Sequence, residues 1–263
     1  MSTLAVIIPV RNMATTLRRA VASAAEGGAD SVVIVDDASD DGTAEVASLC
    51  AEEWSCVSVV THPEKTADHN AAQEPVWRGV KCDQIVGLSA DDFLYPGAVW
   101  SLKLAAGSPV AFADYDVFDA DGKYFYSQHS HFYGRKTAAE IRRRFSSIDY
   151  CTETGFCTAI RRDIAMWLWS SGWQALGPMM DGVGLMTAAA LFGAAYIPMK
   201  CGAFTLRDGS YGCNSSREGS WYFDRGMEAV EWIRSCGLDG QTTKAIVKLR
   251  CFLNDKLLEE SIG

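Results

Sequence analysis

The stretch from Leu4 to Asp37 constrains the fold more than any other part of the chain. It opens with an apolar run, Leu4-Ala-Val-Ile-Ile-Pro-Val-Arg-Asn12, and passes through a helix-period segment, Leu17 to Ala25. It closes with a second apolar run, Ser31-Val-Val-Ile-Val-Asp-Asp37. Short β-branched runs flanking a helix predict a βαβ unit and a parallel sheet. Carboxylates at the C-terminal end of such a strand stand where open α/β sheets bind ligands, so a nucleotide-like ligand is the first expectation. A dinucleotide-binding unit would need G-x-G-x-x-G after its first strand. Here that turn is Pro9-Val-Arg-Asn12, and no Walker-type loop occurs either. The phosphates of a ligand must be anchored in another way, and two acidic strand ends suggest a divalent cation.

At 263 residues the chain is expected to form one α/β domain with a short appendage. A chain of this length buries roughly 70–75% of its unfolded surface, so its core needs no disulfide or structural metal. The nine cysteines are scattered and form no C-x-x-C pair, which predicts reduced, buried thiols rather than zinc. No apolar run reaches the ~20 residues that span a bilayer, and Met1 to Val10 lacks the features of a signal peptide. The expected setting is cytoplasmic. A net charge of −9 argues against a general polyanion binder. The segment from Ser130 to Arg162 is the exception, with seven basic residues (Arg135, Lys136, Arg142, Arg143, Arg144, Arg161, Arg162) against three acidic ones. A solvated helix face accounts for such a run; a site for a phosphate-bearing acceptor is the alternative.

Further strands are expected at Val57–Val60, Gln84–Leu88, Val110–Asp114, Asp116–Phe118 and Ala194–Ile197, and Asp119-Ala-Asp-Gly122 reads as a hairpin turn into Lys123–Tyr126. Thr66 to Trp77 reads as polar and irregular. Helices are expected at Ala98–Ala106, Thr137–Phe145, Arg162–Ser170, Asp181–Phe192, Trp221–Ser235 and Thr242–Glu260. Trp167, Trp169 and Trp173 read as core at helical spacing, and His129-Ser-His131 as a loop or strand surface with no acidic neighbour in sequence.

Three segments then carry a resemblance. Val6-Ile-Ile-Pro-Val-Arg-Asn12, Val33-Ile-Val-Asp-Asp-Ala-Ser-Asp-Asp-Gly-Thr43 and Leu88-Ser-Ala-Asp-Asp-Phe-Leu-Tyr-Pro-Gly97 resemble, in this order, family 2 glycosyltransferases of the GT-A fold. The resemblance spans residues 4–210. It implies an α/β domain over 1–210, with a mixed, mainly parallel sheet flanked by helices; residues 211–263 read as a helical C-terminal extension packed on it. It also implies a nucleotide-sugar donor, usually a uridine diphosphate sugar, and transfer with inversion to an acceptor hydroxyl.

The same resemblance assigns roles. Pro9 and Asn12 would line the base pocket and Asp37 would hold the nucleoside. The Asp-x-Asp element that binds metal and diphosphate falls on Ser89-Ala90-Asp91, its first aspartate replaced by Ser89, with Asp92 adjacent. Asp91 and Asp92 are therefore the expected ligands of Mn²⁺ or Mg²⁺, which would neutralise the charge growing on the leaving diphosphate. The general base that inverting transfer requires would be Asp181, in a pair whose glutamate has become Met180; Asp149 and Glu153 are the reserves, and Gly155 would let the acceptor approach the backbone. Where the family tends to carry a histidine near the metal, this chain has Arg207. Arginine cannot ligate a metal, but its fork can grip a diphosphate. Arg207 is thus expected to compensate for the missing aspartate and histidine.

Two other readings stay open on the sequence. A nucleotidyltransferase would share the sheet and the metal but lacks its basic glycine-rich loop here. A nucleotide-sugar-binding relic would explain Ser89 and Met180 but not Asp37, Asp91 and Asp181. The acceptor is expected to be a glycan or small-molecule hydroxyl, with modified nucleic acid, held through Arg142 to Arg162, as the lesser option.

Overall fold

The computed structural model describes residues 2–66, 69–130, 133–147, 156–207 and 219–251. The βαβ opening forms as the sequence predicts: β1 (Leu4–Val10), α1 (Leu17–Ala25) and β2 (Ser31–Asp36). There follow α2 (Thr43–Glu53), β3 (Val57–Thr61), α3 (His69–Gly79), β4 (Gln84–Gly87), β5 (Phe93–Leu94) and α4 (Ala98–Leu104). The middle of the chain gives β6 (Val110–Asp119), β7 (Tyr124–Gln128), β8 (Gly134–Lys136), α5 (Ala138–Phe145), β9 (Thr158–Arg161) and α6 (Arg162–Ser170). Tight and wide helical turns over Trp173–Gly184 lead to α7 (Leu185–Phe192), β10 (Ala194–Leu206), α8 (Gly219–Ser235) and α9 (Gly240–Cys251).

The strands join one sheet in the order β3-β2-β1-β4-β9-β6-β10-β5, with β7 on β6 and β8 on β10. Strands β1 to β4 are mutually parallel where they pair; β9 runs against both β4 and β6, which makes the sheet mixed. Its strand order reverses beside β1, between β2 on one side and β4 on the other. A crevice at the strands' C-terminal ends is expected at such a point.

Period-2 alternation divides the core. Leu4, Val6, Ile8 and Val10 join a cluster with Leu17, Ala20 and Val21 of α1, Ala47 of α2 and Val99 of α4. Ala5 and Ile7 join the opposite cluster, with Trp77, Phe112, Trp169, Trp173 and Ile141. Helices α8 and α9 pack on this second face, contributing Ala229, Ile233, Ile246 and Val247. Each isoleucine or valine fully buried there is worth about 1.5–3 kcal/mol of transfer free energy.

Several elements differ from the sequence reading: α2, β5 and β8 have no counterpart in it, and β10 runs on to Leu206 rather than ending at Ile197. The polar segment after Thr66 contains helix α3, with Pro75 inside it. The two short strands around Tyr115 are one continuous strand, β6, because Asp114 and Asp116 are buried in it with partners from other elements. Finally, α7 begins at Leu185 rather than Asp181; the glycines Gly182 and Gly184 lie in the wider turn that precedes it.

Of the three tryptophans expected in the core, Trp169 and Trp173 are 2% exposed, whereas Trp167 is only partly buried against it. The six cysteines whose side chains are described are all free, and Cys50, Cys157 and Cys201 are buried. Among the described residues no helix is long and apolar enough to cross a membrane.

Candidate functional site

The C-terminal ends of β1, β2 and β4 carry the three sequence segments singled out above, and side-chain bonds stitch them together. Pro9 lies in the middle of the sheet, where a missing N–H is normally not tolerated. Its neighbour Ile7 turns its carbonyl to β4, accepting from Leu88 N at 2.9 Å, whereas Val10 turns to β2 and accepts from Asp37 N at 3.0 Å. Residues two apart face the same neighbour, so the N–H that Pro9 lacks would face β4, and the β1–β4 register ends at Ile7. Proline fits because the ladder has stopped.

Asn12 follows in a left-handed conformation (φ 53°), one that asparagine tolerates better than most residues. Its side chain is paired with the loop after β2: Nδ2 donates to Asp40 Oδ1 at 2.8 Å, and Asp40 N donates to Asn12 Oδ1 at 2.9 Å. Asp37 is 5% exposed. Thr66 N donates to its Oδ1 at 2.8 Å, and Arg11 Nη1 donates to its backbone oxygen at 2.8 Å.

The segment after β4 is held from three directions. The backbone oxygen of Asp91 accepts from Arg19 Nη2 at 2.7 Å and from Thr205 Oγ1 at 3.0 Å. Arg19 also lies over the ring of Phe93, 4.5 Å from its centroid. The Asp91 carboxylate forms an ion pair with Arg207, whose Nε donates to Oδ2. Arg207 Nη2 is 3.8 Å from Met13 Sδ, which brings the end of β10 to the loop after β1. Arg207, Asp91, Asp37 and Asn12 are thus brought to one edge of the sheet. The side chains of Arg207 and Asp91 keep 35% and 12% of their surface.

Asp92 turns the other way. It is 1% exposed, Thr205 N donates to its Oδ1 at 2.7 Å, and its Oδ2 finds no donor among the described residues. Burial, and then the adjacent Asp91 carboxylate, push its pKa well above the ordinary carboxylate value, against the pull of Thr205 N–H, Arg19 and Arg207. Burial, and then Cys201 and the Asp92 carboxylate, push the Cys157 thiol well above its ordinary value.

These residues fit a divalent cation poorly. At a diphosphate Mg²⁺ takes one or two carboxylates from the protein, with water and phosphate oxygens completing its shell, so at least one carboxylate must be exposed and unshared. Ser89 offers a neutral hydroxyl, Asp92 faces the interior, and the Asp91 carboxylate already holds a guanidinium.

Asp181 stands on the wider turn before α7. Strand β9 runs against its neighbours, so α6, which follows it, climbs back toward the edge where the parallel strands end. The turns over Trp173–Gly184 lie at that end and α7 descends from them to β10. Val183 and Leu185 are buried and anchor the turn, while Asp181 is exposed. Its Oδ1 accepts from Gly182 N at 2.7 Å. Gly184 is required here: a Cβ would come within 2.3 Å of the Trp173 ring. The reserve carboxylates Asp149 and Glu153, together with Gly155 and His131, lie outside the described residues, as does the side chain of Met180.

Arg11, Arg19 and Thr205 had no signal in sequence, because each reaches the site by a bond to a backbone group or a buried carboxylate. His129 does have an acidic partner, Asp114, at 3.0 Å across the β6–β7 hairpin. In the basic segment, Arg135 donates to Ser108 Oγ, Arg142 to Ala190 O and Arg162 to Val80 O, and Arg161 pairs with Asp163.

Residues 5–168, more than half of the 263, match the sequence profile of the family described as Glycosyl transferase family 2. The chain belongs to that family. A stretch of 99 residues is 36% identical to the succinoglycan biosynthesis protein ExoU of Rhizobium meliloti (strain 1021), covering 37% of this chain and 28% of that protein. The fold is similar to that of S. aureus TarS. The TarS 1-349 crystal structure gives a TM-score of 0.66 at 13% identity, over 93% of this chain and 69% of the other. Its complex with UDP-GlcNAc gives 0.65 at 14% identity, over 93% and 70%. The sheet with its flanking helices is therefore the family's GT-A arrangement.

Proposed function

We propose that this chain transfers a sugar, with inversion, from a nucleoside-diphosphate sugar to a hydroxyl of a glycan or small molecule. One observation carries the reading: three segments that resemble the family's donor-binding elements meet at the switch point of the sheet, joined by Arg207 to Asp91 and Met13. Asp37 and the Asn12–Asp40 loop would hold the nucleoside. Asp91 and Arg207 would lie at the diphosphate. The likeness to TarS bound to UDP-GlcNAc makes a uridine diphosphate sugar the first donor to test.

The transfer needs little covalent chemistry from the protein. The bond from the sugar's anomeric carbon to the diphosphate oxygen breaks, and its electron pair leaves with the nucleoside diphosphate. The acceptor oxygen forms the new bond on the opposite face, and its proton passes to the exposed Asp181 carboxylate. A general base of this kind contributes typically 10²–10⁴-fold. Helix α9 packs against the turn that bears Asp181, so the helical extension would brace the base rather than bind a ligand.

A glycan acceptor is supported by the partial likeness to a succinoglycan biosynthesis protein. Four basic side chains of the Arg135–Arg162 stretch are engaged within the chain, which leaves less for a phosphate backbone. The test is a panel of nucleotide sugars with glycan and small-molecule acceptors, the anomeric configuration of the product being read by NMR. Transfer with inversion, abolished in Asp181→Asn, is expected. Retention, or no transfer from any donor, would overturn the reading.

A further inference from the structure

We propose that Arg207 takes the place of the metal: the chain binds its donor's diphosphate by a guanidinium held in position by Asp91, and needs no divalent cation. This rests on the donor reading above. The aspartate that the family resemblance assigns to the metal has a different partner here. Arg207 approaches it through Nε, from 116 residues further along the chain.

The geometry leaves Arg207 free for a ligand in a way its neighbours are not. Arg11 and Arg19, the other guanidinium groups bonded at this edge, each spend an Nη on a backbone carbonyl, of Asp37 and Asp91 respectively. Arg207 spends its Nε on a carboxylate, and the terminal Nη groups meet no oxygen acceptor among the described residues; Nη2 meets only the weak Met13 sulfur. An arginine fixed at Nε presents its two Nη groups as a fork, the arrangement that engages two phosphate oxygens at once. At 35% exposure the side chain is open to a ligand, and Asp91, at 12%, is the more enclosed partner behind it.

Asp91 is itself anchored. Its backbone oxygen is fixed by Arg19 and Thr205, and the next residue's carboxylate fixes Thr205 N. The role of Asp91 is therefore inverted relative to a metal ligand: it is a positioning residue for an arginine. When the sugar–oxygen bond breaks, its electron pair stays on the diphosphate, and the fixed positive charge of Arg207 offsets the gain. Arginine is not deprotonated in proteins, so this stabilisation needs neither a proton nor a recruited ion. A cation at Asp91 would have to share the carboxylate with the guanidinium that already holds Oδ2, against its positive charge.

Calorimetric titration with UDP, GDP, CDP, ADP and dTDP, once in Mn²⁺ and once in chelator, tests this directly. One nucleoside diphosphate should bind with the same affinity in both buffers. Loss of a charge-assisted hydrogen bond corresponds to roughly a ten- to hundredfold weakening, expected for Arg207→Ala in either buffer. Arg207→Lys, which keeps the charge but not the fork, should fall between the two. Asp91→Asn keeps an oxygen for the Arg207 Nε–H, so it should recover most of the affinity lost in Asp91→Ala; an amide would not restore a metal site. Circular dichroism of each variant separates loss of binding from loss of fold. Binding that needs Mn²⁺ and is indifferent to Arg207→Ala would overturn the inference while leaving the proposed transfer intact. No nucleoside diphosphate binding in either buffer would overturn both.

Discussion

Asn12 and Asp40 hold each other reciprocally: the amide of Asn12 donates to the carboxylate of Asp40 at 2.8 Å, and the backbone N–H of Asp40 returns a bond to the amide oxygen at 2.9 Å. The pair ties the exit of β1 to the exit of β2, the two loops that would frame the nucleoside. Asn12→Ala removes both bonds and leaves a left-handed backbone on a residue that dislikes it, whereas Asn12→Gly loses the bonds but accepts the backbone. Melting temperature should therefore fall in the order wild type, Asn12→Gly, Asn12→Ala. The total loss for alanine should be about 1–3 kcal/mol. Nucleotide affinity should follow the same order.

The base should be separable from donor binding. Asp181→Asn is expected to lower kcat by roughly 10²–10⁴-fold and to leave the dissociation constant of the nucleoside diphosphate unchanged. Single-turnover kinetics alongside calorimetry checks both halves.

Gly184 positions that base at a distance. A Cβ at this residue would press into Trp173, itself buried among Trp169 and its neighbours. Forcing a methyl into a packed core costs typically 1–3 kcal/mol. Gly184→Ala should shift the turn carrying Asp181, reducing kcat while the donor affinity holds. A double variant with Trp173→Phe, which removes part of the ring, should recover some of the turnover.

Asp239 gives a stability prediction with a definite pH window. It precedes α9, and Thr242 N donates to its Oδ1 at 2.8 Å. That bond is the largest influence on its pKa, which lies below the ordinary 3.8. A depressed carboxylate contributes stability that is present above the unfolded pKa and is lost as pH falls through the folded one. Asp239→Ala should cost about 1 kcal/mol at neutral pH. The gap to wild type should close below pH ~4, the unfolded value for aspartate. Chemical denaturation at pH 7 and at a series of pH values below 4 follows the gap as it narrows.

Much of the fold was legible because burial imposes a period. The runs around Val6, Val33 and Val86 are β-branched and fully or nearly buried, so their pattern survives in the sequence. The failures have specific causes. Asp114 and Asp116 broke the apolar pattern of β6, yet they are buried because His129, Ser130 and Tyr133 satisfy one, and Tyr95, Ser127 and Lys200 the other. No local rule foresees partners that arrive from 11 to 84 residues away. Pro75 made α3 look irregular. At the site, Ser89 and Arg207 were readable as departures from a known pattern, but that Arg207 would close on Asp91 depends on where β10 ends against β5 and β6.

Pro9 has no N–H to offer β4, and the β1–β4 pairing ends at Ile7; beyond Leu88 the chain takes its bonds from Arg19, Thr205 and Arg207 instead. A donor missing from the main chain stays missing whichever side chains surround it, so no change of lining residue restores that rung of the ladder.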